Sequence, residues 1–426
     1  MKIKTVHVLL ALMLLIVPVL SVGSVAAQDE ITINLAFMQQ AGVPPEELDK
    51  LVAAYEEANP NINIEITYVA YPSLHDLLVT SISSNPPAFD VVLVDDIWYA
   101  EFADNGWLLD ISDRITDDMR AGIFESAWGI STVNDVAYGM PWMLDQKYFF
   151  YNTRILAEAG FDAPPATWEE MAEQARVIKE KGLVEYPMMM SWAQVEAVIC
   201  DFVTLLYGNG AEFFDAEGNP VFNSEAGVQA LQWMVDMVNE GIVNPSSIAS
   251  DEMGVENVFL QGSAAFVSNW LFMYNDTQNS EDSKVVGEVG MSLMPVFAAT
   301  AEQGTSSATI NGSMGISITA GTEHPDEVWA FLEYLTSPET QVSIAAWQSP
   351  IWQAAAEDPS VVEANPVTAP IFAAQFPFAH VRPKVPYYNE ASRIVQTAIQ
   401  EALTGAKTPQ EALDSAVEQI QEVAAE

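Results

Sequence analysis

Residues 90–98 read Asp90-Val-Val-Leu-Val-Asp95-Asp96-Ile-Trp98, four consecutive apolar residues closed by two carboxylates and an aromatic ring. A short unbroken apolar run bounded by polar residues is the pattern of a strand buried on both faces, as parallel strands are. Upstream, Ile31 to Phe37 alternates apolar and polar residues with the period of a strand, and Ile62, Ile64 and Ile66 repeat the pattern. Between them Pro44 and Pro45 open a helix with Leu48, Leu51, Val52 and Tyr55 on one face, and Asn59-Pro60 stops it. A second helix is expected from about Pro72 to Ser84. The order strand, helix, strand, helix, strand predicts a doubly wound α/β lobe, which binds ligands beyond the carboxyl ends of its strands. Asp95, Asp96 and Trp98 stand at that place.

Downstream of Trp142 the pattern becomes more helical. Thr167-Trp-Glu-Glu170 and Thr408-Pro-Gln-Glu411 are capping boxes. A helix is expected from Ser224 to Gly241 with Val228, Leu231, Val235 and Val238 inward, and the last pair of helices begins at Asn389. Near residue 310 a strand returns, in which Met314, Ile316 and Ile318 alternate. Asp215 to Asn219 reads as a turn; Ala226 stands where a calcium loop needs its last glutamate, so no metal site is expected there.

Lys2, Lys4, the apolar run Val8–Leu20 and Val25-Ala-Ala27 read as a secretory leader cleaved after Ala27, and the run is shorter than a membrane span needs. Gln28, in place of a lipid-bearing cysteine, predicts a freely diffusing protein retained in a periplasm. What remains after the leader exceeds the ~250–300 residues at which single cores stop growing, so two lobes are expected. The chain has one cysteine, Cys200, read as a buried thiol in an apolar helix, and no disulfide can form within it. Fifteen Lys and Arg against 59 Asp and Glu give a formal charge of −44, which repels nucleic acid and polyanionic ligands.

No zinc-protease, nucleophile-elbow, paired-cysteine or phosphate-loop pattern is present, and no cofactor is indicated. Asp95-Asp96 are adjacent carboxylates, but strand neighbours face opposite sides, which argues against a hydrolase pair there. Sugar recognition uses aromatic faces against pyranose C–H groups, with carboxylates, amides and arginine on the hydroxyls. Candidate positions are Asp95, Asp96, Trp98, Asp145, Trp192, Gln194, Trp270 and Arg382. Each has a structural alternative: a tryptophan in the core, a helix-capping aspartate, an arginine in an ion pair.

Five ordered segments carry a resemblance: DVVLVDDIWYAEFADNGWLLDIS (90–112), YGMPWMLDQKYFFYNTRILAEAGF (138–161) followed by PPATWEEM, QGSAAFVSNW (261–270), SPETQ (337–341) and RPKVPYYNEASR (382–393). Together they resemble the extracellular solute-binding proteins of family 1, which serve ABC sugar importers, and in particular their trehalose/maltose-type branch. The resemblance implies a two-lobed periplasmic-binding-protein fold of type II, with two doubly wound lobes joined by three hinge crossings. The crossings are expected near Trp142–Gln146, Ala308–Gly312 and Trp347–Ile351. Lobe one would hold residues 28–143 and 310–345, and lobe two residues 144–309 and 346–426. It further implies a monomer that closes on a small neutral sugar and delivers it to membrane permease subunits, with no enzymatic activity. Carried over, Asp95, Asp96 and Trp98 match a ligand-facing loop, Asp145 a polar residue at the first crossing, Trp270 a stacking aromatic, Gly312 a close backbone approach and Arg382 a hydroxyl-binding arginine. Glu196 lies near the expected cleft, flanked by Val195 and Ala197 where the branch often has an aromatic and a glycine. Lys147 stands where the branch often has a small residue.

Overall fold

The computed structural model describes residues 30–39 and 42–425, so the leader and its cleavage site lie outside the described residues. Five strands form the first sheet, in the order Ile62–Val69, Ile31–Met38, Val91–Asp95, Met314–Ile318 and Met140–Met143. The first three are parallel, and the last two are antiparallel to their neighbours. Val91 to Asp95 is buried throughout, as its unbroken apolar run predicts. The returning strand is buried at every residue rather than at alternate ones, because its other face is covered too. Tyr99 lies there, hydrogen-bonded through its hydroxyl to Ser317 Oγ at 2.9 Å.

The second sheet has four strands, in the order Val289–Ser292, Tyr148–Asn152, Phe266–Asn269 and Met188–Met189. Only its last pair is parallel, so this half is a mixed sheet under a helical cover. The helices Glu196–Gly208, Glu225–Asn239, Tyr388–Leu403 and Pro409–Val423 pack on one another. Helix Glu225–Asn239 buries Ala230, Leu231, Trp233, Met234 and Met237, while Val228, Val235 and Val238 are half-buried. Its buried stripe is therefore rotated and widened from the expected one, because it packs against three helices rather than one. The capping box at Thr408 closes reciprocally with Glu411. At Thr167 the hydroxyl caps Glu170 N, but the Glu170 carboxylate reaches one residue further back, to Ala166 N at 2.8 Å.

The chain leaves the first sheet at Met143 and enters the second at Tyr148. Single bridges tie Leu144 to Ser349 and Gln146 to Asn311. Three segments, around residues 144–147, 310–313 and 347–351, therefore run side by side between the sheets. Among the described residues no helix is long and apolar enough to cross a membrane.

Candidate functional site

A cavity of about 70 Å³ lies between the two sheets. A water needs ~10–15 Å³ of such space, so it has room for roughly five. The first-sheet side contributes Met38, Tyr71, Asp95 and Met314, and the crossings contribute Asp145 and Gly312. The other side contributes Glu196, Glu252, Trp270, Phe272 and Arg382. A larger cavity, about 330 Å³, lies beside the third crossing and is walled by Leu271, Pro350, Phe372 and Phe376. None of the sequence-derived candidates lines it, and Glu357 is its single charged residue, so the smaller cavity is the candidate site.

Of the ten candidates, Asp95, Asp145, Glu196, Trp270, Gly312 and Arg382 line the cavity. Asp95 ends its strand, takes the Tyr71 hydroxyl on Oδ2 at 2.7 Å and accepts Arg382 Nη2 on Oδ1 at 2.6 Å. Asp96 also accepts Arg382 Nη2, at 2.7 Å, but lies off the cavity wall. The two carboxylates do not diverge, because the strand stops at Asp95 and the following turn brings Asp96 to the same guanidinium. Trp98 is buried, stacked on Tyr71 at 5.6 Å, and lies outside the lining. Trp192 is wholly buried in the second half, and its carbonyl accepts from Gln400. Gln194 is exposed and bonded to Thr397 at 3.0 Å. Neither of these two reaches the cavity.

Arg382 is the centre of the charged network. Its Nη1 donates to Glu196 Oε1 at 3.1 Å, and its Nε is buried with no acceptor among the described residues. Burial opposes its charge, but Asp95 and Asp96 hold it above even the usual arginine range. Glu196 is further bonded by Tyr388 at 2.7 Å and Ser392 at 2.5 Å. Burial raises the Glu196 carboxyl against the pull of Arg382 and these hydroxyls. Asp96 is raised well above its ordinary value by burial, with Arg382 pulling the other way and Asp95 adding to the rise.

Asp145 sits on the first crossing, where its backbone carbonyl accepts Gly312 N at 3.0 Å. Burial pushes its carboxyl up to about 7, against the N–H groups of Gln146 and Leu271 and the charge of Lys147. Trp270 follows the strand Phe266–Asn269, and its Nε1 donates to Glu252 Oε1 at 3.2 Å. Gly312 passes so close to this indole that a Cβ there would fall on the ring.

Sequence reasoning did not single out Tyr71, Glu252 or Phe272 as lining residues, nor the fully buried pair Lys147–Asp201. Tyr71 stands at the start of a helix that follows a strand, a position that could have marked it; Glu252 sits in the first turn of Glu252–Leu260 with no local signal.

A model of the family described as bacterial extracellular solute-binding protein matches residues 41–342. A probable ABC transporter-binding protein of Deinococcus radiodurans is 26% identical over 335 residues, covering 76% of this chain and 77% of its own. A putative binding protein of Brucella abortus is 22% identical over 399 residues, 93% of this chain and 94% of its own. Among solved structures, maltose-bound T. maritima MalE3 superposes with a TM-score of 0.84 at 26% identity, covering 92% of this chain and 99% of that one. A solute-binding protein of Thermotoga lettingae bound with α-D-tagatose gives 0.82 at 24% identity, covering 93% and 100%. The fold is therefore the two-lobed arrangement of maltose-binding-type proteins, and with the family match extending over most of its length, the chain belongs to the bacterial extracellular solute-binding proteins, which serve as the binding components of ABC transporters.

Proposed function

We propose that this protein captures a neutral sugar, a mono- to trisaccharide, between its lobes and delivers it to the permease subunits of an ABC importer without chemical change. The observation that carries this reading is the indole of Trp270 sharing a small cavity with carboxylates and an arginine drawn from both sides. An indole packs on sugar C–H groups, and ionised side chains form strong bonds to hydroxyls. Arg382 Nε, buried and unpartnered among the described residues, is a donor that a hydroxyl would satisfy. The Nη groups of that arginine already meet three carboxylates, which disfavours a phosphorylated solute such as glycerol phosphate. Five carboxylates in the lining (Asp95, Asp145, Glu196, Asp251 and Glu252) favour a polyamine as the second reading.

In this reading lobe one comprises residues 28–143 and 310–345, lobe two residues 144–309 and 346–426, and the protein works as a periplasmic monomer after loss of its leader. Thermal unfolding against maltose, D-tagatose, ribitol, spermidine and glycerol 3-phosphate tests it, since a ligand of the folded state raises stability by mass action. A rise with a neutral sugar or polyol is expected. A rise with spermidine alone would replace the sugar reading with the polyamine one, and turnover of an aryl glycoside would end the claim that no chemistry occurs.

A further inference from the structure

Lys147 and Asp201 have side chains with no exposed surface, and neither lines the cavity. The ammonium reaches Asp201 Oδ1 and Ser191 Oγ, both at 3.0 Å. Asp201, on the helix Glu196–Gly208, also accepts Ser191 Oγ at 3.0 Å, Ser191 N at 3.3 Å and Ser268 Oγ at 3.2 Å. The lysine backbone is held as well: its N–H donates to Ile310 O at 3.2 Å, and its carbonyl accepts Thr309 Oγ1 at 2.7 Å. The pair therefore joins the first two crossings to the helix Glu196–Gly208, to the strand Phe266–Asn269 through Ser268 and to the segment just after Met188–Met189 through Ser191.

Stability does not explain such a pair. Taking both charges out of water costs about as much as their attraction returns, and apolar replacements of buried pairs are often neutral or stabilising. Registry is the better-attested use of a buried pair, and here a third contact shows what is being registered. Lys147 Nζ lies over the Trp270 ring, 5.2 Å from its centroid, within the reach of a cation–π attraction. The same indole is held by Glu252 at Nε1 and confined by Gly312 against its six-membered ring. Asp201 and Ser191 fix the ammonium, and the ammonium fixes the plane of the ring.

We propose that Lys147, anchored by Asp201, is a positioning residue that sets the orientation of the Trp270 ring in the cavity. This rests on the reading of Trp270 as the ring that meets the solute. A pre-set ring spares the solute the cost of ordering it, so the contribution appears as affinity.

The test labels the eleven tryptophans with 5-fluorotryptophan and assigns the Trp270 fluorine resonance by its loss in Trp270→Phe. Lys147→Met alone strands Asp201 as an uncompensated buried charge, so the paired apolar replacement Lys147→Met/Asp201→Leu is the working variant. Its Trp270 resonance should shift and broaden while the resonances of tryptophans away from Lys147 hold. An unchanged Trp270 resonance overturns the proposal, whatever the protein binds. Affinity is read with whichever of maltose, D-tagatose or ribitol stabilises the wild type most. The paired replacement should weaken it about three- to tenfold, and should weaken it no further in a Trp270→Ala background. Equal losses in both backgrounds would make Lys147 and Asp201 structural residues only. Unchanged affinity in Trp270→Ala itself would remove the stacking role of Trp270 and leave the fluorine result to decide its positioning by Lys147.

Discussion

Replacing Arg382 with methionine tests the charged network most directly. The guanidinium lies 2.6 Å from Asp95, 2.7 Å from Asp96 and 3.1 Å from Glu196, and is itself 3% exposed. Methionine fills similar space and removes the charge. Breaking a buried ion pair by deleting one partner costs ~3–5 kcal/mol, because the charge left behind has no compensation. With a urea dependence of ~3 kcal/mol per molar, the unfolding midpoint at pH 7.5 should fall by roughly 1–2 M. The deficit should also depend on pH. Asp96 and Glu196 are raised in the folded protein by burial, with Arg382 opposing that rise. Without Arg382 both should rise further. A carboxyl with a raised folded-state pKa contributes stability that is full below its unfolded value, ~4, and is lost as pH climbs through the folded value. The variant should therefore approach the wild type near pH 4.5 and fall away from it towards pH 7.5. Urea melts of both proteins at the two pH values decide the matter, and equal deficits at both would refute the account of the network as charge compensation.

Trp270→Ala should weaken sugar binding by about tenfold or more, ~1.4 kcal/mol, with a modest change in melting temperature. Trp192→Ala, at a fully buried ring, should instead cost ~3–5 kcal/mol in stability, and the reverse assignment of effects in calorimetry would exchange their roles. Burial holds Asp145 near 7, above its unfolded value, so relative to Asp145→Asn the wild type should lose stability between about pH 4 and pH 7, at up to ~1.4 kcal/mol per pH unit. Parallel stability curves across that range would show that Asp145 is ionised throughout. Saturating sugar should lower the radius of gyration measured by small-angle scattering, and Trp270→Ala should reduce that fall at matched sugar concentration; a profile that never changes with sugar speaks against closure.

The first sheet was legible because its strands advertise themselves. Ile31 to Phe37 and Ile62 to Ile66 alternate, and Val91 to Val94 is unbroken. The second sheet was not, since Met188–Met189 and Phe266–Asn269 are too short to show a period. At the site, a tryptophan beside polar residues looks the same whether it faces a ligand or fills a core. Ser191-Trp192-Ala-Gln194 and Asn269-Trp270 were equivalent as text. What separates them is that the first lies beneath packed helices while the second emerges at the end of a strand beside the crossings. The Lys147–Asp201 pair joins residues 54 apart, a distance at which one sequence carries no trace of contact. Lys147 could be flagged only as a departure from a pattern.

The placement of Arg382 bears on how closure and affinity divide. The segment around it pairs with the second crossing through the strand Ala379–His380 and packs on the second half through the helix Tyr388–Leu403. Yet its side chains reach across to the first. Arg382 meets Asp95 and Asp96, Lys384 donates to the carbonyls of Gly129, Ile130 and Thr132, and Asn389 donates to Glu101 at 2.8 Å. These contacts, made by three residues, belong to the protein alone, so if the protein captures its solute by closing, as in the proposed function, they bias the open–closed equilibrium before any solute contributes. A solute can shift that equilibrium only by its difference in affinity for the two states. Moving it from 1:99 to 99:1 requires ~5.5 kcal/mol of such difference. Each bridging bond that stabilises the closed form lowers that requirement, and what the solute no longer spends on closing appears as tighter binding. Substitutions at Lys384 or Asn389, neither of which lines the cavity, should therefore weaken sugar binding without touching the sugar, whereas changes at Trp270 act on the contact itself.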